Sequence, residues 1–235
     1  GFFADDDIRE ENLMPGYTPE RALFHRSCHV LFALLTLGYK TKYHFNFLSD
    51  MLRPAALAKW MRTQNLADYW DASNKMMNLA LFFTYEARAH GNKEAENAVH
   101  VILDICDENT DPHTGYHDQG ESDLRNAMAG AMHLYPIYFM WGRPPKYADK
   151  VIDATLSLQN KDGFFAYETG VCGYDCLEYD ATNILVNFSF ISDYRREDVR
   201  SCLRRLLGAL KQTMNPDGGF CTHRKPEEYK GFATP

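Results

Sequence analysis

The feature that most constrains the fold is a short turn, glycine followed by an aromatic residue, that recurs along the chain. It stands at Gly1-Phe2-Phe3, Thr114-Gly115-Tyr116, Asp162-Gly163-Phe164-Phe165 and Asp217-Gly218-Gly219-Phe220. Four predicted helix starts, Pro19, Asp71, Asp123 and Asp180, are spaced by roughly fifty residues, a repeat length typical of stacked supersecondary units. We therefore expect a repeat protein in which each unit buries its apolar face against the next.

Between the turns, apolar residues recur at three- and four-residue spacing, the pattern of an amphipathic helix. The first predicted helix runs from Pro19 to Leu37, with Thr18 as N-cap and Gly38 as stop. Seven more are predicted over Pro54–Arg62, Ser73–Ala89, Glu94–Asp107, Asp123–Trp141, Tyr147–Leu158, Asp180–Phe190 and Glu197–Met214. Eight helices in four antiparallel pairs, without a convincing period-two strand, predict an all-α fold.

No Ser/Gly linker or low-complexity tract interrupts the periodicity, so we expect a single domain over residues 1–235. Helix hairpins joined by Gly-aromatic turns predict an α/α toroid. Because Lys230–Pro235 stop where another helix should begin, the toroid is expected to be incomplete as the sequence stands. The first residue is Gly1 and not Met, so we expect the natural chain to start earlier or to be processed.

Composition narrows the function classes. A net charge of -7, with lysine and arginine scattered along the chain, offers no basic stripe to a phosphate backbone and argues against nucleic-acid binding. No apolar run approaches the roughly 20 residues that span a bilayer. Three of the six cysteines, Cys28, Cys106 and Cys202, lie inside apolar helical patterns, which is typical of reduced core thiols and favours a cytoplasmic protein.

Three segments carry a family resemblance: Leu158–Phe165, Asn215–Phe220 and Glu121–Ala127. They resemble the prenyltransferase and squalene-cyclase repeat, of which this chain would be a diverged member, most strongly from about residue 100 onward. The resemblance implies a toroid whose inner helices line a central cavity. It also implies a terpenoid-cyclase-like or prenyltransferase-like enzyme.

The functional motifs of that family are altered here. Where the cyclases have Asp-x-Asp-Asp, this chain has Ala4-Asp5-Asp6-Asp7, and the residues after Gln159 are Phe164 and Phe165 in place of Trp. The prenyltransferases bind zinc through Asp-x-Cys and a later His. The matching residues here are Asp175, Cys176 without the spacer, and His223.

In a toroid, the amino-terminal ends of the inner helices would meet at one rim of the cavity. Four acids near those ends, Asp71, Asp123, Glu178 and Asp180, are candidates for acid-base chemistry, because burial can keep one acid protonated beside an ionised neighbour. The candidate ligand-binding residues at this rim are Tyr17, His25, Trp70, Asn74, Arg125, Asn126 and Asn183. Such polar, aromatic walls suit a sugar ring or another hydroxylated ligand. The alternative is that the acids are ordinary helix caps.

Three groups of residues have ligand types that metals prefer. His25 and His29, four apart on one helical face, are a candidate base or metal pair, with a structural role as the alternative. Zinc would suit Cys172, Cys176, Cys221 and His223, with Asp175 as an oxygen ligand. Magnesium and a diphosphate would suit Asp5–Asp7, for which a solvated turn is the alternative.

Three hypotheses of function follow. The first, slightly favoured by the resemblance, is a terpenoid-cyclase-like or prenyltransferase-like enzyme that holds a small-molecule substrate in the cavity. The second is a carbohydrate-active hydrolase or lyase, and the third is a non-catalytic helical-repeat scaffold. Helix pairs exposed at both ends of an unclosed toroid would invite a second copy, so a homodimer is also expected.

Overall fold

In the computed structural model, which describes residues 18–169, 176–214 and 218–219, the predicted all-α fold is confirmed. Within these ranges the chain forms the eight expected helices. They are α1 (Pro19–Thr36), α2 (Pro54–Arg62), α3 (Tyr69–His90), α4 (Lys93–Glu108), α5 (Leu124–Met140), α6 (Ala148–Ser157), α7 (Leu177–Phe188) and α8 (Arg196–Leu210). Short 3-10 segments cover Asn46–Leu52, Leu66–Asp68 and Lys211–Thr213. None of the helices described is long and apolar enough to cross a membrane.

Local signals decide where most helices begin and end. Thr18 caps α1 by accepting a hydrogen bond from the backbone N–H of Arg21, and the helix stops before Gly38, as expected. Asn92 accepts hydrogen bonds from two N–H groups at the start of α4. Since these caps need only neighbours in the chain, their sequence signals are sufficient to place them.

Two predicted helix starts are wrong. The third helix begins at Tyr69 and not at Ser73 or Asp71, because the side chain of Asp68 caps it by accepting from the Asp71 N–H. The seventh begins at Leu177, three residues before the predicted Asp180, after Cys176 in a left-handed conformation. Asp71 and Asp180 therefore lie within the first turn of their helices and are not caps.

The helices pack as two rows. The inner row consists of α1, α3, α5 and α7, each packed against the next. The outer row contains α2, α4, α6 and α8, in which α2 packs on α4 and α6 on α8. One continuous apolar cluster, from Cys28 to Ala209, fills the space between the rows. The three cysteines predicted as core thiols are buried and free.

Two of the repeated turns dock in the same way on the next outer helix. Gly163 has a φ of 96°, and a Cβ there would lie 2.8 Å from the carbonyl oxygen of Arg205 on α8. Gly115 likewise approaches the start of α6, and Tyr116 beside it is buried with its hydroxyl 2.9 Å from that of Thr155. The turn needs glycine because helix and turn backbones touch there, and the aromatic residue that follows fills the core.

A close contact between helices lies in the middle of the inner row. A Cβ on Gly130 of α5 would lie 2.8 Å from the carbonyl oxygen of Tyr69, the first residue of α3. The backbones of α3 and α5 therefore approach closely only because residue 130 has no side chain.

We predict that Gly130→Ala destabilises the protein by about 1–3 kcal/mol, because the added methyl group forces α3 and α5 apart. The control is Gly208→Ala in α8, where a Cβ would meet nothing within 4 Å. That variant should be as stable as the parent or more stable by up to about 1 kcal/mol, since alanine favours the helix. Urea unfolding followed by circular dichroism measures both, and equal midpoints for the two variants would contradict the close-packing argument.

Candidate functional site

The first predicted acid, Asp71 in the first turn of α3, forms ion pairs with two cationic side chains. Its carboxylate accepts hydrogen bonds from Lys75, at 2.7 Å, and from Arg21 of α1. Partial burial works to raise its pKa, but the bonds from Lys75 and Arg21 outweigh it, and the pKa lies below its usual range. Asp71 is therefore ionised at neutral pH and joins α1 to α3.

The second predicted acid, Asp123, caps α5. It accepts hydrogen bonds from the backbone N–H groups of Arg125 and Asn126, and its carboxylate also accepts one from the hydroxyl of Tyr167. The side chain of Asn126 accepts from the Trp70 N–H at 2.8 Å. Asp123 therefore has the capping role that the sequence analysis gave as the alternative to catalysis. The Asn126 contact fixes the start of α5 against the start of α3.

Arg125, predicted to bind ligand, contacts the protein itself. Its guanidinium donates to the carbonyl oxygens of Phe165, at 2.9 Å, and Leu158, and to the side chain of Asn160. It also lies over the ring of Tyr167, 5.5 Å from the centroid. Arg125 therefore anchors the turn that contains Gly163 to the inner row.

A polar cluster lies between α1 and α3. We call His25, Cys28, His29, Asn74 and Asn78 the histidine–asparagine cluster. Nδ1 of His25 lies 3.0 Å from Oδ1 of Asn78, which also accepts from the Cys28 thiol at 3.0 Å, and Asn78 donates to Asn74. Nε2 of His29 lies 3.3 Å from Nε2 of His25. The buried polar groups of this cluster are thus paired with one another.

Burial sets the charge of these side chains. It lowers the pKa of the half-buried His25 and also that of His29, so both imidazoles are neutral at neutral pH. Burial raises the pKa of the Cys28 thiol to about 12, which keeps its proton in place. The cluster is therefore uncharged and offers lone pairs and N–H donors.

A third histidine, His133 of α5, is a further polar group of the inner row. Its Nδ1 lies 3.0 Å from the hydroxyl of Ser73, and its ring centroid lies 6.0 Å from that of Trp70. Burial, followed by the repulsion of His25 and His29 in their charged forms, lowers the pKa of His133 to about 4. Through Ser73 and Trp70, His133 contacts α3, the helix that also carries the two asparagines of the histidine–asparagine cluster.

The remaining predicted acids, Glu178 and Asp180, are both buried in the first turn of α7. Glu178 accepts a hydrogen bond from the Phe165 N–H at 3.0 Å, whereas Oδ1 of Asp180 has no hydrogen-bond partner among the residues described. Asp180 is only 1% exposed. Burial, and then the neighbouring Glu178, raise the pKa of Asp180 to about 8. Asp180 thus holds its proton at neutral pH, as a general acid must before it reacts.

Other predicted site residues lie outside the described part of the chain or belong to none of the groups above. Tyr17, Asp175 and His223 lie outside the described residues, as do Cys172, Cys221 and Asp5–Asp7, so the zinc and magnesium predictions stay predictions. Cys176 is exposed immediately before α7. Asn183 of α7 accepts a hydrogen bond from Asn187, one turn along the same helix.

The sequence analysis missed Ser73, Asn78 and His133. Asn74 and Asn78 are four residues apart on α3, a helical spacing that points both side chains the same way, and this signal was available. No such sequence signal pointed to His133, because its contact with Ser73 joins residues 60 apart in the sequence. A polar residue is recognised as part of such a cluster only when the packing of the helices is known.

A second cluster lies at the other end of α3. The buried carboxylate of Glu86 accepts from Nδ1 of His44 at 2.8 Å and from the Phe45 N–H at 3.0 Å. The ring of His90 lies 4.4 Å from that of His44. His44, Phe45 and Glu86 border a pocket that is also lined by Leu48. The cluster fastens the segment before α2 to the inner row.

Another buried histidine, His117, belongs to neither of these clusters. His117 stacks on the ring of Tyr138, with the two ring centroids 5.4 Å apart, and neither of its ring nitrogens has a hydrogen-bond partner among the residues described. Burial lowers its pKa to about 4, so the ring is neutral at neutral pH. It lies between the rows of helices and contributes nothing to the polar surface of α1, α3 and α5.

The comparisons with known proteins identify no relative: no family model matches the chain, and no match was found among curated proteins or among solved structures. The likeness to the prenyltransferase and squalene-cyclase repeat therefore rests on the sequence motifs alone. Function has to be inferred from the chemistry of the side chains that the helices bring together.

The buried Asp180 carboxyl predicts a pH dependence of stability. The unfolded chain loses this proton near the usual pKa of 3.8, whereas the folded protein keeps it up to about 8. Its contribution to the free energy of unfolding is therefore complete below about pH 4 and is lost as the pH rises to about 8.

Asp180→Asn removes the charge, so at pH 9 the variant should be more stable than the parent by about 2 kcal/mol or more. Below pH 4 the two should be equally stable. Urea unfolding at a series of pH values tests this, with Asp50→Asn, at an exposed aspartate, as the control without such a trend. A difference between Asp180→Asn and the parent that does not change with pH would contradict the assignment.

Proposed function

We propose that the protein is an enzyme that binds a polyhydroxylated, carbohydrate-class substrate against the inner row of helices and uses Asp180 as a proton donor. The observation that carries the proposal is the buried Asp180 carboxyl, which has no hydrogen-bond partner at Oδ1 among the described residues and is protonated at neutral pH. A general acid must hold its proton at the working pH and lose it in the transition state. Asp71 does not fit that role, because its ion pairs with Lys75 and Arg21 stabilise the ionised form. Asp123 is engaged as the N-cap of α5.

The polar surface of the inner row supports a hydroxylated substrate. His25 and Trp70 are partly exposed and His29 is exposed, and their ring nitrogens carry donors and acceptors on the neighbouring helices α1 and α3. A hydrocarbon placed against these groups would offer them no hydrogen bonds, whereas sugar hydroxyls would. Trp70, with its ring beside His133, supplies a flat apolar face of the kind that packs against a sugar ring.

The two rows of helices are compatible with an arc of an α/α toroid, and we include that arrangement in the proposal. In it, α1, α3, α5 and α7 would line the concave side. The terpenoid-cyclase-like alternative shares this arrangement and the need for a protonated acid, but it needs a wall of aromatic side chains in place of amides and imidazoles. The non-catalytic scaffold remains the alternative if no turnover occurs.

We expect neutral oligosaccharides, screened as a panel by thermal shift and then by calorimetry, to bind and to raise the melting temperature. Polyprenyl diphosphates, screened in parallel, should have no effect. The oligosaccharide that binds should be cleaved, with the products followed by chromatography. Because the reaction needs protonated Asp180, the rate should fall as the pH rises above about 8.

Asp180→Asn should lower the cleavage rate by about 100-fold or more while substrate affinity is kept, because the amide retains the shape but cannot give up a proton. Asp50→Asn is the matched control and should cleave at the parental rate. Binding of polyprenyl diphosphates alone would favour the cyclase-like alternative. Undiminished cleavage by Asp180→Asn would exclude this residue as the acid.

A further inference from the structure

Two histidines on α1 have their ring nitrogens in the geometry of a metal site. His25 and His29 are one helical turn apart, and their rings are nearly perpendicular, with centroids 4.7 Å apart. The two Nε2 atoms face each other at 3.3 Å. His25 is half-buried and His29 is exposed, so an ion in solution can reach the pair.

The separation of 3.3 Å matches two ligands of one tetrahedral ion. With zinc–nitrogen bonds of about 2.05 Å, two nitrogens this far apart subtend an angle of about 107° at the metal. The tetrahedral angle is about 109°, so the separation of the two nitrogens already suits a tetrahedral ion. The ligand atoms that His25, Cys28 and His29 offer all lie within 4.8 Å of one another.

The other nitrogen of His25 is already oriented as metal sites require. Its Nδ1 lies 3.0 Å from Oδ1 of Asn78, and since a carbonyl oxygen only accepts, Nδ1 carries the proton. Nε2 of His25 is then left with its lone pair facing His29. A hydrogen bond from the second ring nitrogen to an acceptor is the usual support of a histidine ligand.

We propose that His25 and His29 bind one divalent transition metal of the kind that imidazole prefers, such as zinc, cobalt or nickel, through their two Nε2 atoms. The Cys28 thiol stays outside the ligand set, because it donates to Asn78 and to the carbonyl oxygen of His25. Two coordination positions remain for water or for oxygen atoms of a small ligand. The site stands on α1 and α3 alone and does not depend on the proposed role of Asp180.

Cobalt chloride titrated into the purified protein provides the test, with calorimetry for stoichiometry and visible absorption for geometry. The titration is made in a His44→Ala background, which removes the other cluster of candidate ligands, around Glu86. We expect His25→Ala and His29→Ala each to lose one bound equivalent. His113→Ala, at an exposed histidine in a loop, is the matched control and should lose none.

Cys28→Ser separates the imidazole site from a thiolate site. It should bind the same equivalent, and the part of the cobalt spectrum that His29→Ala abolishes should contain no cobalt–thiolate charge-transfer band. Retention of full binding by His29→Ala would overturn the proposal. Loss of binding in Cys28→Ser would overturn the ligand assignment. If the metal-free protein cleaves oligosaccharides at an unchanged rate, the proposed function stands whatever the cobalt titration shows.

Asn78 supplies a second test, because we assign it as the positioning residue for His25. Asn78→Leu removes the acceptor and should weaken cobalt binding about 10- to 100-fold. Asn78→Asp keeps an acceptor at the same place and should restore the affinity. Equal affinities for the leucine and aspartate variants would show that Asn78 does not orient the ligand.

Discussion

The close approach of α3 and α5 is the contact on which the rest of the structure depends. Gly130 lets α5 lie directly on Tyr69 at the start of α3, and Asn126 fastens the same two ends through the Trp70 N–H. That contact brings His133 to Ser73 and so sets the polar surface beside Trp70. Any side chain at position 130 would separate the groups on which the proposed site is built.

The four acids of the inner row differ in the groups that their carboxyls contact. Asp71 is paired with two cations, Asp123 accepts hydrogen bonds from backbone N–H groups and Glu178 accepts one from the Phe165 N–H. Asp180 has no partner at Oδ1 among the described residues, and burial keeps it protonated at neutral pH. Asp180 therefore has the protonation state that proton transfer to a substrate needs.

The sequence analysis succeeded for features that depend on neighbouring residues. The helices were predicted from three- and four-residue spacing, and the stop at Gly38 from a glycine after an apolar run. It failed at the start of α3, where Asp68 competes with Asp71 as a cap and the choice rests on contacts with α5. It also proposed Asp71, Asp123 and Asp180 as equivalent acids, although their surroundings make them different.

The sequence by itself determined the all-α class, the number of helices in the described residues and the turns at Gly115 and Gly163, because each rests on the spacing of residues close together in the chain. Only the tertiary structure decided that Asn78 receives the proton of His25 and that His133 faces Ser73, contacts that join residues 53 and 60 apart. Such contacts depend on how neighbouring helices are rotated and shifted against each other. Many side chains and a few close backbone contacts fix that arrangement together, and no short segment of the sequence encodes it.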